Sequence, residues 1–245
     1  LVEKEKELGG NLRHIHYLFN GEDPQEQLRS LIEKVKKNNK IHLFSESRIK
    51  NMEGSIGHFK TQISTNGDVK EVEHGTVIVA TGATVYKPKE YLYGQDERVI
   101  TQRELEERIV ASGKPFTGTD KGQPKTVVMI QCVGSRDKER PSCSRVCCTE
   151  AIKNALKIIE LSPDTNVYIL YRDVRTYGFK ENYYTKARQK GVRFIRYEED
   201  KKPEVSKDGQ GLTVNVFDQI LKMPVQIPAD MVVLSAGIVP NEDNK

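Results

Sequence analysis

The sequence predicts an α/β fold of Rossmann type, a doubly wound arrangement of parallel strands and helices, on three observations. The runs Thr76-Val77-Ile78-Val79-Ala80 and Thr126-Val127-Val128-Met129-Ile130 are apolar and β-branched, the composition of strands buried on both faces. After the second run, strand and helix patterns alternate as βαβαβ, the order that builds a parallel sheet. The chain has 245 residues, 36% hydrophobic and 30% charged, enough for two mononucleotide-fold units.

Each element has a local reason. Leu1-Val2-Glu3 reads as the end of a strand and Leu8-Gly9-Gly10-Asn11 as a turn. Pro24 opens a helix through about Asn38, because Leu28, Leu31, Ile32 and Val35 recur at three- and four-residue intervals and Asp23 can cap it. Strands are expected around Ile41 to Phe44, Phe59 to Thr65 and Val69 to Glu73, the last two joined through the turn Asn66-Gly67-Asp68. From Lys87 to Lys125, Pro, Gly and charge predict a connection, interrupted by a helix from Gln102 to Ser112. The second unit opens at Thr126. It continues with a helix from about Cys148 to Leu161, a strand at Val167 to Leu170, a helix from about Lys180 to Lys190 and a strand at Val192 to Tyr197. Leu212 to Phe217 and Met223 to Ile227 form a hairpin-like pair before a last strand, Met231 to Ser235.

Composition removes several function classes. The net charge is +4, from 39 Lys and Arg against 35 Asp and Glu, but the signs interleave, as in Glu3-Lys4-Glu5-Lys6-Glu7. That pattern is a solvated mixed surface rather than a nucleic-acid stripe. No apolar run approaches the roughly 20 residues of a membrane crossing, so direct membrane insertion is not expected. No initiating Met or leader pattern precedes Leu1, and the start reads as a cut through a longer polypeptide. The four cysteines fall between Cys132 and Cys148, unlike a dispersed disulfide framework, which points to a reducing cytoplasm.

Three segments of the first unit suit a dinucleotide. Val77 to Ala83 is a strand candidate ending in Ala80-Thr81-Gly82, where small residues let a bound cofactor approach the backbone. Glu3 stands where a carboxylate can accept hydrogen bonds from a ribose, and Gly9, Gly10 and Asn11 offer amides and a small polar side chain. Each segment alone is equally a buried strand or a charged turn. In the second unit the expected Gly-x-Gly-x-x-Gly is absent: the strand runs into Gln131-Cys132-Val133-Gly134-Ser135-Arg136. NAD(P)H binding at that turn is therefore not expected.

The cysteine spacing is the strongest signal. Cys132, Cys143, Cys147 and Cys148 can bring four thiolates together where the chain folds back, the last three at the start of a helix. That helix N-terminus and Arg136, Arg140 and Arg145 favour thiolate. An iron-sulfur cluster, a tetrahedral zinc site and a redox dithiol are all compatible with the spacing, and scattered core cysteines are the structural alternative. His14, His16, His42, His58 and His74 form no metal-spaced group with them. No nucleophile elbow, P-loop or helical His-Glu-x-x-His is present.

Beyond these patterns, Gln131 to Asp137, Cys143 to Cys148, Ala151 to Ala155 and Tyr171 to Gly178 closely resemble the family of A-type subunits of CoB-CoM heterodisulfide reductase, which includes those of the related quinone-interacting membrane-bound oxidoreductase. Leu8 to Leu12 and Leu234 to Pro240 extend the resemblance over essentially the whole chain. It implies a thioredoxin-reductase-like flavoprotein with two dinucleotide-binding domains, FAD and a 4Fe-4S cluster, acting as an oxidoreductase that passes electrons to partner subunits of a cytoplasmic complex and allows a homodimer. Carried over by position, Cys132, Cys143, Cys147 and Cys148 match the cluster ligands. Glu3, Gly9, Gly10, Asn11, Thr81 and Gly82 match the FAD-contacting segments. Lys153, one helical turn beyond Cys148, matches a lysine near the isoalloxazine, where positive charge favours reduced anionic flavin. The resemblance places a first Gly-x-Gly-x-x-Gly before Leu1 and a final FAD-contacting segment after Lys245. The implied domains are residues 1–122, a partial FAD-binding domain with its connection, and residues 123–245, an NAD(P)H-domain-like unit carrying the cysteine loop.

Overall fold

The computed structural model describes residues 1–112, 123–209 and 211–242. It resolves into two compact units, one of Leu1–Tyr17, Glu22–Ala83 and Asn241–Lys245, the other of Leu18–Gly21 and Thr84–Pro240. The connection expected between Lys87 and Lys125, and the boundary expected at residue 122, lie partly outside the described residues.

In the first unit a 3-10 turn, Gly10–His14, precedes helix α1, Pro24–Lys37. Asp23 caps α1 by accepting the Gln25 N–H at 2.8 Å, and Pro24 occupies the first turn, where no amide hydrogen is needed. The Gln25 side chain donates to the carbonyls of Leu12 and Ile15 at 2.8 and 2.6 Å, fixing the 3-10 turn to the helix start. Leu28 packs on Gly9, whose φ is +125° and where a Cβ would stand 3.0 Å from the leucine Cδ1. Glycine is required there on both counts. An antiparallel sheet follows: β1 (Ser47–Ser55), β2 (His58–Thr65) and β3 (Asp68–His74). Asn66 and Gly67 both take positive φ in the β2–β3 turn, as their hairpin signature predicts.

Two expectations fail in this unit. Ile41 to Phe44 contributes only a parallel bridge between Phe44 and Val2. Thr76 to Ala80 forms no strand, and Ile78 and Val79 are 88% and 78% exposed. A strand buried on both faces needs hydrogen-bonded neighbours along its edges; among the described residues β1, β2 and β3 pair only with one another.

The second unit holds a five-stranded parallel sheet in the order β5 (Val99–Thr101), β12 (Met231–Ala236), β6 (Thr126–Val133), β7 (Asn166–Tyr171) and β8 (Arg193–Arg196). A small pair, β4 (Thr84–Val85) with β13 (Ile238–Val239), lies beside it in sequence, and β5 is Val99–Thr101. Helix α2 (Gln102–Ser112) leads to β6 (Thr126–Val133), then α3 (Cys147–Leu161), β7 (Asn166–Tyr171), α4 (Glu181–Gln189) and β8 (Arg193–Arg196). An antiparallel sheet of β9 (Glu204–Asp208), β10 (Gly211–Asp218) and β11 (Met223–Ala229) precedes β12 (Met231–Ala236). Strand alternation sorts the core. Val128, Ile130, Val232 and Leu234 pack with Leu212, Val214, Val216 and Ile227, whereas the opposite face of β6 and β12 meets α2 and α3. The predicted Rossmann-type order is present, and the short strands β4, β5 and β13 and the polar strand β9 are ones the sequence pattern conceals, β5 lying where a connection was expected.

Candidate functional site

The cysteine loop begins in an irregular strand. Leu234 of β12 stands beside Ile130 of β6, but Ala236 stands beside Val133, so Gln131 and Cys132 lie against Ser235 alone. This bulge puts Cys132 at φ +62°, and Arg136 and Arg145 also take positive φ. Left-handed backbone at non-glycine residues costs about 1–3 kcal/mol each and persists only where surrounding contacts over-determine it.

Those contacts are specific. Arg140 donates to the Gly134 carbonyl at 2.8 Å while its guanidinium lies 4.4 Å above the Tyr86 ring. The same ring presses on Gly134, where a Cβ would fall 2.0 Å from it. Ser144 Oγ accepts the Ile238 N–H at 2.7 Å, and the Gly237 N–H donates to the Val133 carbonyl at 2.8 Å. Arg136 donates to Asp173 at 2.6 Å, and Arg172 holds the Arg136 carbonyl and, at 2.8 Å, Glu199.

All four sulfurs feel one another electrostatically. Cys132 Sγ faces the Arg136 guanidinium at 4.0 Å, and Cys143 Sγ accepts the Arg145 N–H at 3.4 Å. Cys147 and Cys148 donate to the carbonyls of Ala236 and Asp173, each at 3.5 Å. Burial pushes the thiols of Cys132, Cys147 and Cys148 up, while Arg136 pulls Cys132 down and the Arg175 N–H pulls Cys148 down. The expectation that arginines and a helix start favour thiolate meets an opposing cause at Cys132, Cys147 and Cys148, where burial raises the thiols, and Arg140 is engaged by Tyr86. Among the described residues no three His, Cys, Asp or Glu side chains are arranged around a single ion. The donor set nevertheless suits an iron-sulfur cluster in kind, with four cysteine sulfurs in one neighbourhood beside arginine.

On α3, Lys153 Nζ lies 2.5 Å from Glu106 Oε2 of α2, the two side chains being 9% and 1% exposed. Glu150, one turn before, is pushed up to about 7 by burial, against the pull of Lys153. Beside them Gln102 donates to Ser235 Oγ at 3.1 Å and accepts from Asn154 at 2.9 Å.

The expected dinucleotide segments all lie in the first unit. Asn11 Nδ2 donates to the Ala83 carbonyl at 2.9 Å, joining the Gly9-Gly10-Asn11 turn to the Thr81-Gly82 segment. Gly10 and Gly82 both take positive φ, +48° and +69°. Glu3 extends the Val2 bridge by donating to the Phe44 carbonyl at 2.9 Å, and its carboxylate accepts the Glu5 N–H at 3.0 Å. Asn241, which sequence reasoning did not single out, donates to the Thr81 carbonyl at 2.7 Å. Tyr86, Arg172 and Asp173 were likewise missed as supports of the cysteine loop; only the run Tyr171 to Gly178, noted for its resemblance, hinted at the last two.

No family model matches the chain. Curated relatives do. Over 186 residues it is 42% identical to the A-type subunit of H(2):CoB-CoM heterodisulfide,ferredoxin reductase from Methanothermobacter marburgensis, covering 70% of this chain and 28% of that protein. Over 187 residues it is 43% identical to the A-type iron-sulfur subunit of CoB-CoM heterodisulfide reductase from Methanocaldococcus jannaschii, covering 69% and 27%. The chain thus spans under a third of the length of the relatives it matches. Among solved structures it resembles the bacillithiol disulfide reductase of Staphylococcus aureus, with TM-score 0.54, 14% identity and coverage of 98% and 69%. It also resembles the FAD-bound cadaverine monooxygenase of Erwinia amylovora, with TM-score 0.55, 8% identity and coverage of 90% and 58%. At these identities the likeness establishes the fold alone, the predicted α/β arrangement of Rossmann type.

Proposed function

The chain belongs, over the part it spans, to the family of A-type subunits of CoB-CoM heterodisulfide reductase, and on that premise we propose that it is the portion of a flavin- and iron-sulfur-dependent oxidoreductase that holds an electron-transfer site. Cys132, Cys143, Cys147 and Cys148 would hold a 4Fe-4S cluster, and Glu3, Gly9, Gly10, Asn11, Thr81 and Gly82 would contact FAD. When bound, these groups supply the redox chemistry; the chain supplies binding, orientation and electrostatics. Lys153 would be the positive charge assigned to the flavin, already neutralised in part by Glu106. Other subunits of a heterodisulfide-reductase-like complex would deliver and accept the electrons, and a cytoplasmic location suits the cysteine usage. No described helix is long and apolar enough to cross a membrane.

The observation that carries this reading is the gathering of all four cysteines of the chain in one loop, from Cys132 at the strained end of β6 to Cys147 and Cys148 on the first turn of α3, with Arg136 facing Cys132. Buried cysteines with only a packing role have no reason to cluster where the backbone costs most. The test is iron, acid-labile sulfide and an electronic spectrum on protein purified without oxygen. The expected result is about four iron and four sulfide per chain, with absorption bleached by dithionite. Zinc at one per chain, or two reactive thiols without iron after attempted reconstitution, would overturn it in favour of a zinc-stapled module or a dithiol disulfide reductase respectively.

A further inference from the structure

Gln131 is 1% exposed, and neither its side-chain nitrogen nor its oxygen has a hydrogen-bond partner among the described residues. A buried amide left unsatisfied is destabilising, and the neighbouring positions of β6 on the same face, Val127 and Met129, are apolar. Leucine or methionine would fill the space without that cost. The adjacent polar groups do not use the amide: Gln102, Ser235 and Asn154 satisfy one another.

Its position says what the amide faces. In the bulge Gln131 and Cys132 share one partner, Ser235, on the neighbouring strand. The next residue there, Ala236, accepts the Cys147 thiol through its carbonyl. Gln131 is also on the face of β6 away from Ile130 and Val128, the face covered by α2 and α3, and the first turn of α3 carries Cys147 and Cys148. The orphaned amide thus belongs to the residue before Cys132 in the bulge and lies on the sheet face covered by α3, whose first turn carries Cys147 and Cys148.

We infer that Gln131 is a positioning residue of the cysteine site: its Nε2–H donates a hydrogen bond to a sulfur there once the site is loaded, and thereby sets the reduction potential. Hydrogen bonds to cluster sulfurs offset the negative charge added on reduction and so raise the potential. The inference rests on the cluster reading above and names a residue that reading does not use.

The test compares the protein, purified without oxygen and reconstituted with ferrous iron and sulfide, with its Gln131→Leu variant by potentiometric titration followed by electron paramagnetic resonance. The expected result is a full iron complement in both and a lower midpoint in Q131L. The size should be about a tenfold fall in the reduced-to-oxidised ratio at fixed potential, or 59 mV for one electron. An unchanged midpoint at full iron content overturns the inference while leaving the cluster reading intact. Should Q131L fail to assemble, pulsed resonance on wild-type protein carrying side-chain ¹⁵N-glutamine decides: a resolved ¹⁵N coupling supports the hydrogen bond, and its absence overturns it. Wild-type protein that takes up no iron and sulfide overturns both readings together.

Discussion

Lys153 and Glu106 form a buried ion pair, Nζ to Oε2 2.5 Å, that joins α3 to α2. Removing one member leaves the other without its nearest counter-charge in a desolvated place, which costs about 3 kcal/mol, whereas replacing both by apolar residues of similar size is close to neutral. Chemical denaturation should therefore show Glu106→Gln and Lys153→Met each strongly destabilised and the double variant Glu106→Leu with Lys153→Met near wild type. Additive losses in the double variant would mean that the two side chains are held by separate neighbours.

Gly134 and Tyr86 fix the cysteine loop by contact. A Cβ at Gly134 would sit 2.0 Å from the ring, at φ +67°. Gly134→Ala should lose about 2–4 kcal/mol, from left-handed strain plus overpacking. In a Tyr86→Ala background the penalty should shrink to the strain alone, about 1–2 kcal/mol. Urea titration of the four proteins closes the cycle; an equal penalty in both backgrounds would remove the ring from the account.

Asp96 gives the unit an acid-sensitive contact. Arg98 grips both its carboxylate oxygens, at 2.8 and 2.6 Å, with Lys207 at 3.3 Å, and these hydrogen bonds hold the carboxyl well below its usual range despite burial. A folded pKa below the unfolded one adds stability above the unfolded value, near 4, and that stability is lost as pH falls through the folded value. Asp96→Asn should thus be less stable than wild type by about 2 kcal/mol at pH 7, with the gap narrowing below about pH 4. A gap independent of pH would assign the loss to packing.

Asn11 and Ala83 connect segments far apart in sequence, through one 2.9 Å hydrogen bond. If the Gly9–Asn11 turn and Thr81–Gly82 contact FAD, Asn11→Ala should weaken flavin retention by about tenfold, the worth of one such bond. Iron content should be unchanged, since the cysteines belong to the other unit. Dialysis followed by flavin absorbance and iron analysis separates the two effects; equal loss of both would point to general unfolding.

Much of this molecule is legible in its residues. The 3.6-residue recurrence of Leu28, Leu31, Ile32 and Val35, the capping Asp23 and the first-turn Pro24 specify α1 locally. The apolar runs at Thr126 and Met231 specify central strands because both faces of those strands are buried. The spacing of the four cysteines marks a candidate site with no coordinate at all. Thr76 to Ala80 shows where such reading stops: composition states that a segment can be a buried strand, but a strand exists only where neighbours complete its ladder.

The sequence by itself determined the βαβαβ order, the helix starts and the gathering of thiols, because caps, periodicity and spacing act over a few residues and need no distant partner. Only the tertiary structure decided that Gly134 must be glycine, that Lys153 meets Glu106, that burial raises the thiols of Cys132, Cys147 and Cys148 and that the Gln131 side chain is left unpaired among the described residues. Each of these depends on what a distant segment places within a few ångströms, as Tyr86, α2 and the bulge beside Ser235 do here. Local pattern cannot encode that proximity, since it follows from how whole elements pack.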